Sequence, residues 1–456
     1  MTATANDIPA RKSGGRPLFV PAVATLIALF VLVVLGPAMT NGGPPSGNIL
    51  RQAIFTALLL GTMWAAGVFK KPSKLLSLPI ILMAAVAWCW ISVAWSDVPM
   101  ISVRRVLLTT IIIWIVFLAV DDCGYDRTVK TIMVGLAVLL FINFIAVAVS
   151  PATAIHHFTA GEDRGLIGDW RGVLPQKNFT GEFCAFTILF FTFAPPKLPR
   201  KTQSDTKAKV PRELIVGVAI RTVVVLAAAF FLFKTESKTS MGMAAMGLLG
   251  GAMFLFLSPR ARMIAVPFAA LAGMAVMLFW ADSWVESVGP FAKPTAFTGR
   301  VQIWPHLISY IRDHPLNGSG YGAFWNIGDE SPIFTYSKTW VTTIASGHNG
   351  YLDLAAQVGI PGLILAVVAA FVMPLYKLLS SQSVSRWRGA LLIGMIIFCV
   401  GHNMTESGLF DRDVIVWAFL LITLALTEVA TGKRLPSSSS KSRPRSRRKR
   451  ALPSFD

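Results

Sequence analysis

The sequence is poor in charge. Only 14% of its 456 residues are Asp, Glu, Lys or Arg, whereas a soluble domain of ordinary composition carries about 25%. Hydrophobic residues make up 54% of the chain, and the mean hydropathy is +0.61. This balance excludes an ordinary soluble globular protein and indicates a membrane protein.

Cysteine is also scarce, and the cysteines that occur are far apart. None of their spacings is typical of a zinc site or a disulfide framework. We therefore interpret them as small packing residues, most of them inside apolar stretches. The four are Cys89, Cys123, Cys184 and Cys399.

Acidic residues are outnumbered, with 23 Asp and Glu against 42 Lys and Arg, which gives a net charge of +19. Nine of the basic residues lie in the tail from Lys433 to Arg450, and most of the others lie in short segments between apolar runs. That distribution is typical of membrane orientation and of attraction to an anionic leaflet. It argues against a nucleic-acid partner.

The hydrophobic residues form blocks of about 20, the length that a helix needs to cross a hydrocarbon core of about 30 Å. The sequence predicts an all-α polytopic membrane protein with about twelve transmembrane helices. Residues 1–16 are too polar for the apolar region of a signal peptide, so the first span is expected to remain as an anchor. The predicted spans are 18–36, 52–69, 75–95, 103–120, 130–150, 181–195, 214–233, 240–257, 263–281, 361–379, 389–404 and 413–430.

Basic residues orient these spans. With the N-terminus in the cytoplasm, the cytoplasmic segments hold 28 Lys and Arg and the outer segments hold 13, so both termini are predicted to be cytoplasmic. The chain then divides into five parts. They are a cytoplasmic tail (1–17), nine helices (18–281), a large outer loop (282–360), three helices (361–430) and a basic, disordered cytoplasmic tail (431–456).

The large outer loop is the predicted seat of function. From Thr298 to Gly362 it combines Arg, His, Asp, Trp and clustered Gly, and irregular polar backbone in a membrane protein belongs where it meets water or lines a cavity. A flexible turn is predicted from Asn317 to Gly322, and a short helix from His348 to Val358. An amphipathic helix along the membrane, ended by Pro315, is predicted from the helical spacing of Val301, Trp304, Leu307, Ile308 and Ile311.

Three other elements have a structural and a functional interpretation. The Ser92-x-x-Trp95-Ser96-Asp97 turn either anchors the chain at the interface or takes part in function. The outer loop around Arg171 and Lys177 places two cations beside turn residues, although any outer loop needs polar residues. Arg221, inside a predicted span, either snorkels to an interface, pairs with an acid or faces a polar cavity.

The motifs of the loop resemble a known family. The chain reads TGR-x3-W, then P-x-x-G-x-G-x-G, then H-N-x-Y-L-x6-G-x-x-G. This order is similar to the large periplasmic loop of the O-antigen ligase and Wzy-type polymerase superfamily, in particular the ExoQ-like exopolysaccharide polymerases. The resemblance implies a GT-C-like fold in the bacterial inner membrane. It also implies transfer of a glycan from undecaprenyl diphosphate to an acceptor hydroxyl, without a cofactor.

The resemblance assigns roles to residues of this chain. Arg300 and His348 become the catalytic pair, with Arg300 at the diphosphate and His348 as the base for the acceptor hydroxyl. Arg171, Lys177 and Arg221 become diphosphate-binding residues. The residues implied to contact the acceptor or to orient the site are Asn349, Tyr351, Trp304 and Glu406.

Several alternatives remain open at this stage. A polymerase and a ligase differ only in the acceptor, and a lipid-linked sugar transporter and a scaffold subunit of an export complex are rivals from other classes. Chain-length regulator and export proteins are expected partners, beside membrane lipids and the lipid-linked oligosaccharide. A metal-independent reaction is predicted, because no H-E-x-x-H or D-x-D element is expected on the outer face and the adjacent His156 and His157 point in different directions. Attack opposite the diphosphate would invert the anomeric carbon.

Overall fold

The computed structural model describes residues 22–28, 49–157, 164–194, 212–287, 300–412 and 414–432. For residues 276–287 and 301 it describes the backbone only. Within these ranges the chain is helical and has no β-strand, only an isolated bridge between Ile155 and Trp170. Both predicted tails, most of the first predicted span and residues 288–299 of the loop lie outside them.

Twelve helices are numbered in chain order, after the helical residues 22–28. They are α1 (Ile49–Ala66), α2 (Ile80–Ile91), α3 (Pro99–Cys123), α4 (Tyr125–Val149), α5 (Lys177–Phe193), α6 (Arg212–Lys234), α7 (Lys238–Phe256), α8 (Pro259–Ser287), α9 (Arg300–Asp313), α10 (Gly350–Ser380), α11 (Arg386–His402) and α12 (Ile415–Thr431).

Six of these helices are long and apolar enough to cross a membrane: α1, α3, α4, α6, α7 and α10. The protein is therefore an all-helical, multi-pass membrane protein. α12 and the stretch Ile80–Trp95 are apolar but shorter. Each of the twelve predicted spans contains helix in the described residues. The number of twelve crossings and the GT-C-like arrangement stay predictions.

The helices differ in how much of their surface faces the protein. In α3, 72% of the apolar window is buried, whereas in α6 it is 11%. Nearly every residue of α11 and α12 is buried as well. The apolar side chains that α1, α4 and α6 leave exposed are those that a lipid bilayer covers. The bundle thus has a protein-packed centre that contains α3, α5, α11 and α12.

α7 and α11 approach each other closely because both carry glycine at their contact. A methyl group on Gly247 would lie 2.8 Å from the carbonyl oxygen of Gly394, and the reverse distance is also 2.8 Å. Small residues let two helix backbones pack at short range where lipid gives no hydrophobic drive to associate. This contact fixes α11, whose C-terminal end leads directly to the candidate site.

The helix predicted from residue 301 exists as α9, and three residues of its predicted apolar face pack into a hydrophobic cluster, namely Trp304, Leu307 and Ile311, but the rest of its buried face differs. Ile303, Leu307 and Tyr310 are buried, whereas Ile308 is exposed. The reason is that α9 packs onto a hydrophobic cluster of its own loop, which contains Phe324, Trp325, Ile333 and Val341. The periodicity was sufficient to predict the helix, but the segment that packs against α9 decides which of its faces is buried.

The glycine-rich turn at 317–322 is tightly packed, contrary to the prediction of a flexible turn. Gly320 has φ of +90°, and a methyl group there would lie 2.6 Å from the side chain of Ser96. The Trp95 indole donates to the carbonyl of Asn317 at 2.9 Å, and the Ser92 hydroxyl accepts from the amide of Tyr321 at 2.9 Å. The Ser92 to Asp97 turn therefore holds the large loop on the bundle.

The predicted short helix before residue 359 is the first part of α10. Its N-cap is Asn349, whose side chain accepts from the amides of Tyr351 and Leu352 at 3.1 Å. Gly359 has φ of +69° and breaks the helix, which resumes at Pro361. This kink separates a short helix at the site from the membrane-spanning part of α10.

Reporter fusions test the predicted orientation. A reporter placed after Ser331, in the large loop, should read as periplasmic, and one placed after Ser383, between α10 and α11, should read as cytoplasmic. A third reporter after Ser204, outside the described residues, should also read as cytoplasmic. Ser331 and Ser383 on the same side would contradict the orientation derived from the basic residues.

Candidate active site

Three side chains from distant parts of the chain contact Glu406, and we name these four residues the Glu406 cluster. One carboxylate oxygen, Oε1, accepts from Arg300 Nη2 at 2.5 Å and from Asn178 Nδ2 at 2.9 Å. The other, Oε2, lies 3.0 Å from His348 Nδ1. Arg300 begins α9, His348 precedes α10, Asn178 begins α5, and Glu406 follows α11. The fold thus brings a cation, a base and a carboxylate together.

Glu406 is largely buried, with 14% of its side chain exposed. Burial on its own would raise the pKa of Glu406, but the hydrogen bond to His348 and the charge of Arg300 together lower this pKa below its ordinary value. The carboxylate is therefore ionised at neutral pH and can only accept hydrogen bonds.

The ionised carboxylate determines the tautomer of His348. Because Glu406 only accepts, His348 Nδ1 carries the proton that it donates, and Nε2 keeps its lone pair. The His348 side chain is 38% exposed, so a substrate can reach it. A base whose ring is oriented by a carboxylate is the arrangement that proton-abstracting sites use.

The backbone at His348 is unusual. Its φ is +50°, in the left-handed region that residues other than glycine seldom adopt. Trp304 Nε1 donates to the carbonyl of the preceding Gly347 at 3.0 Å, and the following Asn349 caps α10. Neighbours on both sides thus hold His348 in a conformation of the kind that clusters at functional sites.

The turn after α11 is tied to the start of α10. The amide of Gly350 donates to the carbonyls of Asn403 at 2.8 Å and Glu406 at 3.1 Å, and Asn349 Nδ2 donates to the carbonyl of Met404 at 3.0 Å. These bonds fix the segment that carries His348 to the segment that carries Glu406.

Asp353 adds a second tie between the same two segments. This buried carboxylate accepts from Trp325 Nε1 at 2.8 Å, from the amide of Gly347 at 3.0 Å and from the hydroxyl of Ser407. Asp353 lies on a helix with an apolar face, and nothing in its spacing separated it from other polar residues, so the sequence reasoning missed it.

Trp304, Tyr351 and Asn349 have orienting contacts. The Tyr351 hydroxyl donates to the carbonyl of Val400 at 2.8 Å, while Trp304 and Asn349 hold the backbone on either side of His348. In all three residues, a polar side-chain atom donates a hydrogen bond to a backbone carbonyl of the protein. Of the two roles predicted for them, orientation is the one that these contacts support.

Lys177 begins α5, directly before Asn178 of the cluster, and Arg171 lies in the loop that precedes this helix. Lys177 Nζ forms an ion pair of 2.5 Å with Asp169. Arg171 instead donates to the carbonyls of Thr153 at 2.9 Å and Pro175 at 3.3 Å, so among the described residues no carboxylate neutralises it. It lines an open groove of about 350 Å³. Of the two, Arg171 is the better anion-binding candidate.

Arg221 does not reach the cluster. Its guanidinium donates to the carbonyl of Ala194 at 2.7 Å, at the C-terminal end of α5, whereas the cluster lies at the N-terminal end of the same helix. The 17 residues of α5 separate the two ends by about 25 Å at 1.5 Å per residue. The predicted diphosphate-binding role of Arg221 is thus not supported, and the guanidinium instead binds a helix C-terminus.

One acidic motif was also missed. Asp411-Arg412-Asp413 spells a D-x-D element in the turn between α11 and α12, and such carboxylate pairs can bind divalent cations. Asp411 lines a polar cavity of about 110 Å³ with Arg105, Asn326 and Ser346, while Asp413 lies outside the described residues. Metal independence therefore stays a proposal.

Comparison with known proteins gives two findings. Residues 223–367 match a family model described as O-Antigen ligase (Wzy_C). The chain is also 29% identical over 210 residues to the exopolysaccharide production protein ExoQ of Rhizobium meliloti (strain 1021), over 43% of this chain and 47% of that protein. The alignment thus spans about half the length of that relative.

The family match contains part of the cluster. Arg300, Trp304 and His348 lie inside residues 223–367, whereas Asn178 and Glu406 lie outside that segment. The tertiary structure brings the residues inside this segment into contact with those outside it. The two matches confirm the resemblance that the motifs predicted, and they support an O-antigen ligase/ExoQ-like family for this chain.

Proposed function

We propose that the protein is an inner-membrane glycosyltransferase that polymerises undecaprenyl-diphosphate-linked repeat units into exopolysaccharide on the periplasmic side. The observation that carries the proposal is the Glu406 cluster. Its single carboxylate binds both the cation suited to a diphosphate and the imidazole suited to an acceptor hydroxyl. The family match supports glycosyl transfer in polysaccharide assembly as the wider class.

The acceptor hydroxyl is activated by His348. Nε2 takes the hydroxyl proton while Glu406 stabilises the positive charge that develops on the ring. The acceptor oxygen forms a bond to the anomeric carbon of the donor, and the bond from that carbon to the diphosphate oxygen breaks. A single displacement from the side opposite the diphosphate inverts the anomeric carbon.

The departing diphosphate is stabilised by arginine. It is already a good leaving group, so positioned cations suffice to stabilise its developing charge, and neither a strong acid nor a metal ion is required. Arg300 Nε is buried and has no partner among the described residues. A buried donor without a partner is costly, and a phosphate oxygen would satisfy it. Arg171 supplies further positive charge beside the groove.

A ligase is the nearest alternative, since only the acceptor distinguishes it from a polymerase. The cluster supports both equally, while the similarity to an exopolysaccharide production protein favours the polymerase. A lipid-linked sugar transporter is a more distant alternative. A base oriented by a carboxylate serves chemistry and has no evident use in transport.

Glycan analysis of a deletion strain tests the proposed function. Loss of the gene should leave single repeat units on the lipid carrier and no polymer, because the step that joins units is missing. The measurement is the chain length of the lipid-linked glycan by gel electrophoresis and mass spectrometry. Full-length chains that stay on the lipid carrier would indicate a ligase, and normal surface polymer would contradict both enzymes.

Substitutions of Arg300 test the diphosphate contact. Arg300→Ala should abolish product at a normal protein level, and Arg300→Lys should restore little, because lysine keeps the charge but loses the planar two-point contact. Product formation by membranes is the measurement. Arg312→Lys, an exposed position on the same helix, is the matched control. Near-parental activity of Arg300→Lys would reduce Arg300 to a generic surface charge.

Substitutions of His348 test the base. His348→Ala should lower the transfer rate by about 10²–10⁴-fold while donor binding persists, because donor binding depends on arginine. His348→Gln should be nearly as inactive, since an amide cannot take a proton. Transfer rates and donor binding are measured separately.

The control for these variants is His306→Gln, a half-buried histidine on α9, which should retain parental activity. Normal polymer from His348→Gln would show that His348 only orients, and the role of base would then fall to Glu406.

A further inference from the structure

A second pair of ionisable side chains lies directly behind the Glu406 cluster. Nε2 of His402, at the end of α11, is 3.4 Å from Oε1 of Glu182 on α5. Their side chains are 1% and 3% exposed. Ionisable groups are rare within membrane-spanning segments and are retained there mostly for function. The mechanism above does not use either residue.

The pair repeats the geometry of the cluster one helical turn away. Asn178 and Glu182 are four residues apart on α5 and so lie on one face of that helix. His402 and Glu406 are also four residues apart, and the amide of Glu406 donates to the carbonyl of His402 at 3.0 Å. The two segments thus meet through two contacts, Asn178 with Glu406 at 2.9 Å and Glu182 with His402.

The surroundings favour an uncharged pair. Phe398 stacks on the His402 ring with centroids 5.3 Å apart, and neither Glu182 Oε2 nor either ring nitrogen of His402 has a hydrogen-bond partner among the described residues. An ion pair is stable in such a place only if further hydrogen bonds satisfy its charges. The contact between Glu182 and His402, at 3.4 Å, is also longer than a charge-assisted hydrogen bond, which measures about 2.7–2.9 Å.

The charge of the neighbouring Glu406 cluster also favours an uncharged pair. Glu406, Arg300 and the thiol of Cys399 are the titratable groups within electrostatic reach of the pair. Glu406 is ionised, and a second carboxylate charge behind it would repel that charge and the diphosphate. One proton kept on Glu182 removes this repulsion.

We propose that Glu182 and His402 form a positioning pair, in which a protonated carboxylic acid lies against a neutral imidazole and their contact fixes the end of α11 against α5. The pair thereby holds Glu406 where it orients His348. This inference rests on the proposed function, because it assigns a role in the same reaction.

Infrared spectroscopy tests the protonation without any assay of activity. The purified parent protein should show the carbonyl stretch of a protonated carboxylic acid at neutral pH, and this band should disappear in Glu182→Gln. Asp353→Asn, the variant of another buried carboxyl group, is the matched control and should leave the band unchanged. A parent spectrum in which Glu182→Gln removes only carboxylate bands would overturn the uncharged pair.

Kinetics test the positioning. Glu182→Gln should keep kcat within about 3-fold of the parent, because the amide has nearly the same shape as the protonated acid and is also uncharged. Glu182→Leu should lower kcat by up to about 10²-fold, the scale of a 1 Å misplacement in a site, while KM for the donor does not rise. The buried hydroxyl of Thr187, further along α5, bonds to its own helix at 2.9 Å, so Thr187→Val should behave as the parent.

The double variant Glu182→Leu with His402→Leu separates positioning from stability. This variant replaces the polar pair by an apolar contact. Its protein level should equal that of the parent, whereas its kcat should stay low. Parental kcat in this variant, or in Glu182→Leu alone, would overturn the positioning role. A kcat for Glu182→Gln as low as that for Glu182→Leu would also contradict the inference. No transfer by the parent itself would instead count against the proposed function, and the infrared result would still stand.

Discussion

The site depends on one constraint, the cost of an ionised carboxylate in a largely buried place. A carboxylate keeps its charge there only if cations and hydrogen-bond donors surround it. Arg300, His348 and Asn178 supply these donors to Glu406, and each comes from a different segment. The requirement of a single side chain thus fixes the relative places of α5, α9, α10 and the turn after α11.

The same constraint connects stability with chemistry. The charge on Glu406 holds the proton of His348 on Nδ1, leaves Nε2 as the acceptor and stabilises the ring once it is protonated. It also binds Arg300 and so keeps a guanidinium near the proposed place of proton abstraction. A neutral side chain at position 406 could preserve much of the packing, but it would lose all three effects.

The sequence predicted most of the local structure, because local structure follows from periodicity and from residues with restricted backbones. The apolar blocks, the helix that starts near residue 301, the break at Gly359 and the restart at Pro361 were all readable from the chain. One local prediction was wrong, the flexibility of the glycine turn, and another, the buried face of α9, was correct only in part. Both depend on what packs against the segment, which periodicity does not contain.

The sequence by itself determined a helical membrane protein, the loop proposed to carry the function, and Arg300 and His348 as its candidate residues, since composition and motifs are properties of the linear chain. Only the tertiary structure decided that Glu406 joins them, that Arg221 lies at the far end of α5, and that Glu182 and His402 stand behind the cluster. The reason is distance: Asn178 and Glu406 are separated by 228 residues, and only the packing of α5 against α11 brings their side chains into contact.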